Sequence, residues 1–151
     1  MNDRYLYRAK RTDNGEWVEG NLVWSYDADD DYKAIIIPTT DSNMFTRVSG
    51  ARGDLGFENW CRVDPSTICQ CTAVPDRDNT IMFENDVVRA SGGVRGVIRF
   101  GRYCDKKTDY GFYIEWEKSQ PYWRNDIYYW QNELMVIGSY IDNPELLEVG
   151  E

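Results

Sequence analysis

RDNTIMFENDVVRASGGVRGVIRFG, residues 77–101, carries the strongest strand and turn signals in the chain. Apolar runs at about Ile81–Ala90 and Val94–Tyr103 are joined through Ser91-Gly92-Gly93, a sequence that favours reversal. Within the first run, Phe83-Glu84-Asn85-Asp86-Val87 sets two carboxylates between apolar residues. Extended backbone would place Glu84 and Asp86 on one face about 6–7 Å apart. That spacing lies between those of retaining and inverting glycosidases, so an acid/base pair is one candidate function. A turn is the other. A short carboxylate accepts nearby backbone N–H groups, and the residue before it often needs a positive φ. Asn tolerates that conformation best after Gly. Asn85 between the acids therefore favours a structural corner formed by Glu84, Asn85 and Asp86. Small SH3-like barrels place a Gly-Asp at such a corner, an analogy of fold alone.

Outward from this stretch, strand signals continue. Arg4–Arg11 and Glu16–Tyr26 flank Thr12-Asp13-Asn14-Gly15, where Asn-Gly predicts a type I′ hairpin. Ala34–Pro38 is a short apolar strand ended by proline. Periodicity is lost over Thr39–Asn59, where Gly50, Gly53 and Gly56 break the chain and a short helical turn has room. Cys61–Thr72 returns to strand character, interrupted by Asp64-Pro65-Ser66, and Pro75–Asn79 is a turn. Gly111–Glu117 alternates as a half-buried antiparallel strand. Ile127–Trp130 and Leu134–Ile141 are the last strand candidates. Asn143-Pro144-Glu145 then starts a short helical turn, with a capping side chain, a first-turn proline and a favourable charge. The expected fold is mainly β with little helix: a single domain over residues 1–151, built as a small antiparallel barrel-like fold with an SH3-like barrel element and an additional hairpin.

Composition narrows the function. The 151 residues carry a net charge of −9, which disfavours nucleic acid and anionic membranes as partners. No apolar run is long enough to span a membrane, and no signal peptide follows the first residues, so a cytoplasmic location is expected. The chain has no histidine, which removes Ser-His-Asp and Cys-His catalysis and histidine metal ligation. Cys69 and Cys71 would share a strand face, but Cys61 and Cys104 do not complete a common zinc spacing, so buried free thiols are expected. Asp27-Ala28-Asp29-Asp30-Asp31 lacks the Gly and Glu of an EF-hand at the required positions, which hold Tyr32 and Pro38. No catalytic residue, cofactor or metal is assigned.

Three blocks together resemble the YopX family, small proteins encoded mainly by phages and prophages. The first is Tyr7-Arg8-Ala9-Lys10-Arg11 with Asn14-Gly15-Glu16-Trp17-Val18-Glu19-Gly20. The second runs from Val63-Asp64-Pro65-Ser66-Thr67 through Gln70, Thr72, Asp76 and Ile81 to Glu84, Asp86, Val87 and Val88. The third joins Val136-Ile137-Gly138 to Asn143-Pro144-Glu145-Leu146-Leu147. Two positions depart from the family pattern: Asn85 stands where Gly is usual, and Thr72-Ala73 where Thr-Gly is usual. The resemblance implies a β-rich fold, oligomers in some members and a mobile-element origin. It carries over no catalytic residue.

The expected function is thus a non-enzymatic, phage- or prophage-type accessory protein of the bacterial host's cytoplasm, acting as a homo-oligomer or by binding a host or phage protein. Tyr122, Trp123, Tyr128 and Trp130 are the contact candidates, because consecutive aromatics over 128–130 cannot all be buried on one face. The alternatives are a ligand-binding or hydrolytic domain using Glu84 and Asp86, and an acidic mimic of nucleic acid.

Overall fold

The structure, a computed structural model, describes residues 3–26, 33–39, 44–49, 52–103, 109–117 and 124–147. Two compact units divide the chain: Tyr5–Gln70, and Cys71–Glu151 with Met1–Arg4.

In the first unit, β1 (Tyr7–Lys10) pairs antiparallel with β2 (Trp17–Trp24). β2 pairs with β3 (Ala34–Pro38), and β3 with the two-residue β6 (Cys61–Arg62). On its other side, β1 pairs with Gln70 and Cys69 at the start of β7 (Cys69–Pro75). The β1–β2 reversal falls at Thr12–Gly15 as expected, but it is not a type I′ turn. Its loop spans Thr12 to Gly15, closed by Arg11 N–H to Glu16 O (2.8 Å) and Gly15 N–H to Arg11 O (3.0 Å). Only Gly15 takes a positive φ (72°), whereas type I′ needs two such residues. Asn14 instead accepts the Glu16 amide through its side chain at 2.9 Å.

The expected irregular stretch 39–59 contains a second hairpin, β4 (Met44–Ser49) with β5 (Arg52–Phe57). Gly53 and Gly56 do not break it; they sit in register opposite Val48 and Phe45. Local propensity is overridden where the partner strand supplies the pairing. After β6, Asp64 caps a single 3-10 turn (Pro65–Thr67) by accepting the amide and hydroxyl of Ser66 at 3.0 and 2.8 Å. Among the described residues, the core of this unit gathers Ala9, Ala34, Ile36 and Val63, with Tyr7, Val18, Leu22 and Ile68 packed against it.

In the second unit, the rest of β7 pairs with β8 (Ile81–Phe83) through an irregular register. A separate sheet has the order β11-β10-β9-β12, with β9 (Asp86–Arg89), β10 (Arg95–Tyr103), β11 (Asp109–Trp116) and β12 (Met135–Ser139). The apolar run Ile81–Ala90 turns at Glu84-Asn85, where the corner is expected. Its two halves do not pair with each other: β8 joins β7, and β9 joins β10 and β12. The mainly-β class is as the sequence implies, but the barrel is not. β11 and β12 lie at opposite edges of an open sheet, and the sheet of the first unit is open as well.

Ile127–Trp130, expected as a strand, is one helical turn, α1. Asp126 accepts the Tyr128 amide at 3.0 Å, which supplies the N-cap that a strand would not use. The 3-10 turn Pro144–Leu147 follows as expected. Val74, Met82, Val88, Ile98, Ile114, Ile127 and Leu134 form the centre of this unit's core, with Trp116 at its side.

Candidate functional site

The acidic corner comes first, because its geometry decides between chemistry and architecture. Asn85 has φ of 69°, at the third position of the turn from Phe83 to Asp86. Type II turns require that conformation there, and Gly or Asn supplies it. Asp86 is 1% exposed, and its Oδ2 accepts the Phe83 amide at 2.8 Å. The Asn85 amide donates to Ile98 O (2.8 Å), and Asn85 O accepts the Tyr140 amide (2.7 Å). Arg99 donates to Asn85 Oδ1 at 2.6 Å, bonds Glu115 at 3.0 Å and lies over the Tyr140 ring. The Asp86 carboxylate is thus buried within its own turn, whereas Glu84 is half-buried.

The second departure from the usual family pattern has the same physical basis. Ala73 takes φ of 61° where the pairing of β7 with β8 is irregular. Thr72 Oγ1 spans the irregularity, donating to Met82 O (2.7 Å) and accepting the Val74 amide (3.0 Å). Cys69 and Cys71 are buried; the Cys69 thiol donates to Thr67 O at 3.3 Å, and Cys71 Sγ accepts the Ala73 amide at 3.4 Å. Among the described residues, no group of three acidic or thiol side chains is placed to hold a metal.

The contact candidates are not gathered into one described patch. Tyr122 and Trp123 lie outside the described residues, as do Asp27–Asp31 and Cys104. Tyr128 is 69% exposed on α1, and its neighbour Tyr129 is exposed as well. Trp130 turns inward. Its ring meets Trp116 edge-to-face at 5.4 Å, and both indole N–H groups donate to Arg124 O at 2.9 Å.

Another surface feature lies wholly in the first unit. An open groove of about 430 Å³ is lined by Val23, Trp24, Ser25, Ile35, Ile37, Phe57 and Trp60. Its floor follows from register. Leu22 faces Ile36 across β2 and β3 on the core side, so the adjacent pair Val23 and Ile35 points the opposite way. Ile37, two residues along, shares that outer face. Phe57, Trp60 and Trp24 close the sides. Val23, Trp24 and Trp60 keep 48%, 38% and 51% of their surface exposed. Sequence reasoning missed this site, yet a signal was present. Ile35-Ile36-Ile37 is an unbroken apolar run, and a strand apolar at consecutive positions has two apolar faces.

Comparison with known proteins agrees with the fold. The profile of the YopX protein family matches residues 6–148, nearly the whole chain. The chain belongs to the YopX family. No curated protein matches it. The crystal structure of protein EF1440 from Enterococcus faecalis is similar in fold, with a TM-score of 0.57 and 21% identity over 93% of this chain and 96% of that one. The three YopX-like blocks can now be placed. Gly20, closing the first, lets β2 approach β3, since a Cβ there would lie 2.0 Å from Ile37 O. Asp76 of the second bonds three amides, those of Asp78, Thr80 and Val136. Gly138 of the third packs under Leu146 and Asn143, joining the two halves of that block. Each of these motif residues has a structural task.

Proposed function

We propose that this YopX-family chain is a non-enzymatic accessory protein, of phage or prophage type, that works by binding another protein chain. The observation that carries this is the groove: large apolar side chains stand open to water around one concavity, where burial by a partner yields free energy. Exposed tryptophans are the side chains most enriched among residues that dominate binding energy. The acidic corner supports the same reading, because the Asp86 carboxylate is consumed by the turn. The bound chain is a host or phage protein or a second copy of this one.

Affinity capture from host lysate, in parallel with light scattering over a range of concentrations, tests the proposal. Wild type is expected to retain a defined protein or to self-associate, and Trp60→Ala to lose that interaction while keeping its circular dichroism spectrum. A monomer that retains nothing, or a complex unchanged by Trp60→Ala and by Val23→Ser, overturns it.

A further inference from the structure

We infer that Asn14, in the β1–β2 loop, is a self-modifying site. In the folded chain the Gly15 backbone nitrogen closes on the Asn14 side chain, ammonia leaves, and hydrolysis of the cyclic imide turns Asn14 into aspartate or isoaspartate. This goes beyond the protein-binding reading and uses no residue of the groove.

Ring closure needs an unhindered backbone nitrogen after the asparagine, and a side chain on the next residue shields it. Of the ten asparagines, Asn14 alone precedes a glycine. The structure adds access. Thr12, Asp13, Asn14, Gly15 and Glu16 are all exposed. Nothing lies within 4 Å of the place a Cβ on Gly15 would take, and its φ of 72° is one that glycine adopts without strain. The structure also adds activation. Asn14 Oδ1 accepts the Glu16 amide at 2.9 Å. Attack on Cγ puts negative charge on that same oxygen, so a donor already points at the developing oxyanion. Asn14 Nδ2 donates to Glu16 Oε2 at 3.3 Å, which holds the other end of the side-chain amide.

One bond opposes the reaction. Gly15 N–H donates to Arg11 O at 3.0 Å and must open before the nitrogen can lose its proton. That bond lies in an exposed loop, where local opening takes far less free energy than global unfolding. The Gly15 amide proton then passes to hydroxide as the nitrogen–Cγ bond forms. The Cγ–Nδ2 bond breaks, and Nδ2 takes a proton from water and leaves as ammonia. Water next cleaves one of the two imide bonds of the Gly15 nitrogen. Cleavage at Cγ gives aspartate, and cleavage at the backbone carbonyl gives isoaspartate. Either product adds a negative charge between Asp13 and Glu16. Isoaspartate also adds a methylene to the backbone, which misaligns the two bonds that close the loop on Arg11.

The test incubates the full native chain in water enriched in heavy oxygen at mildly alkaline pH, followed by peptide mapping with mass spectrometry. Label is expected at residue 14 ahead of every other asparagine, as aspartate and isoaspartate together, at a rate that rises with pH. Asn14→Gln, a change at an exposed loop position, is expected to lose the label, because its longer side chain closes a less favourable ring. Gly15→Ala is expected to slow the conversion severalfold, and Asn14→Gln serves as the check should Gly15→Ala fold poorly. The same chain unfolded in urea is the reference. Label at residue 14 in urea with none in the native chain overturns the inference, since the loop then protects Asn14. Aspartate without isoaspartate overturns it as well, because direct hydrolysis needs no ring. Equal label at all asparagines, an unchanged rate in folded Gly15→Ala, or no label in either state also overturns it.

Discussion

Asp76 and Val136 stand sixty residues apart in sequence, yet Asp76 Oδ2 accepts the Val136 amide at 3.0 Å. The other oxygen, Oδ1, accepts the amides of Asp78 and Thr80 at 2.9 Å each. One nearly buried carboxylate thus shapes its own turn and ties it to the edge strand β12. Arg77 N–H to Leu134 O adds a backbone bond beside it at 2.9 Å. Asp76→Ala removes three charge-assisted bonds, and the expected loss is about 3 kcal/mol. Asp76→Asn retains part of this set and should fall between the two. Urea denaturation of the three proteins checks the order; a loss under about 1 kcal/mol for Asp76→Ala would show that water replaces the carboxylate without penalty.

Asn85 and Ala73 share a left-handed backbone but differ in how well they suit it. An alanine in that region bears a steric cost of about 1–2 kcal/mol that Gly escapes, partly offset by the greater freedom of Gly in the unfolded chain. Ala73→Gly is expected to raise stability by up to about 1 kcal/mol. A lower melting temperature for Ala73→Gly would contradict the strain argument.

At Asn85 the two effects separate. Asn85→Gly keeps the backbone and loses the bond to Arg99, so a cost of about 1 kcal/mol is expected. Asn85→Ala loses the same bond and adds backbone strain, for about 2–3 kcal/mol in all. Equal melting temperatures for the two variants would mean that the turn does not constrain φ.

Gly20 and Gly138 test how close packing differs by neighbour. A Cβ on Gly20 meets the Ile37 carbonyl, backbone held by strand pairing, at 2.0 Å. A Cβ on Gly138 meets the mobile end of the Leu146 side chain at 2.8 Å. Gly20→Ala is therefore expected to cost about 3 kcal/mol or more, and Gly138→Ala about 1 kcal/mol. Because Ile37 also lines the groove, Gly20→Ala should weaken groove binding as well. Chemical denaturation of both variants decides the order, and a reversed order would place the strain elsewhere.

The hairpin loop carries a pH signature. A hydrogen bond from Arg11 holds the Asp13 carboxyl below its ordinary value of 3.8. A depressed carboxylate contributes stability at pH above its unfolded value and loses that contribution as pH falls through its folded value. Both side chains face solvent, so the local effect should be visible in the titration of Asp13 itself. NMR titration is expected to show the Asp13 midpoint rising in Arg11→Gln. An unchanged midpoint would leave the Arg11–Asp13 contact of 2.6 Å without influence in solution.

Much of the fold was legible from local chemistry. Asn85 between two acids announced a corner, and Asn14-Gly15 a reversal, because turn residues act over three or four positions. Asp64-Pro65-Ser66 marked an interruption between strands, though not the cap that Asp64 forms there, and alternation over Gly111–Glu117 marked β11. The lack of histidine removed whole classes of catalysis without any coordinates. Other features depended on partners distant in sequence. Periodicity identified strand residues but not which strands pair, so the open sheets in place of a barrel emerged only with the register. Trp130 was an aromatic among aromatics until Trp116 and Arg124 O met it. Ile35 and Ile37 were apolar by sequence. Only the pairing of β3 with β2 put Ile36 in the core and left its two neighbours on the outer face, since adjacent strand side chains must point opposite ways.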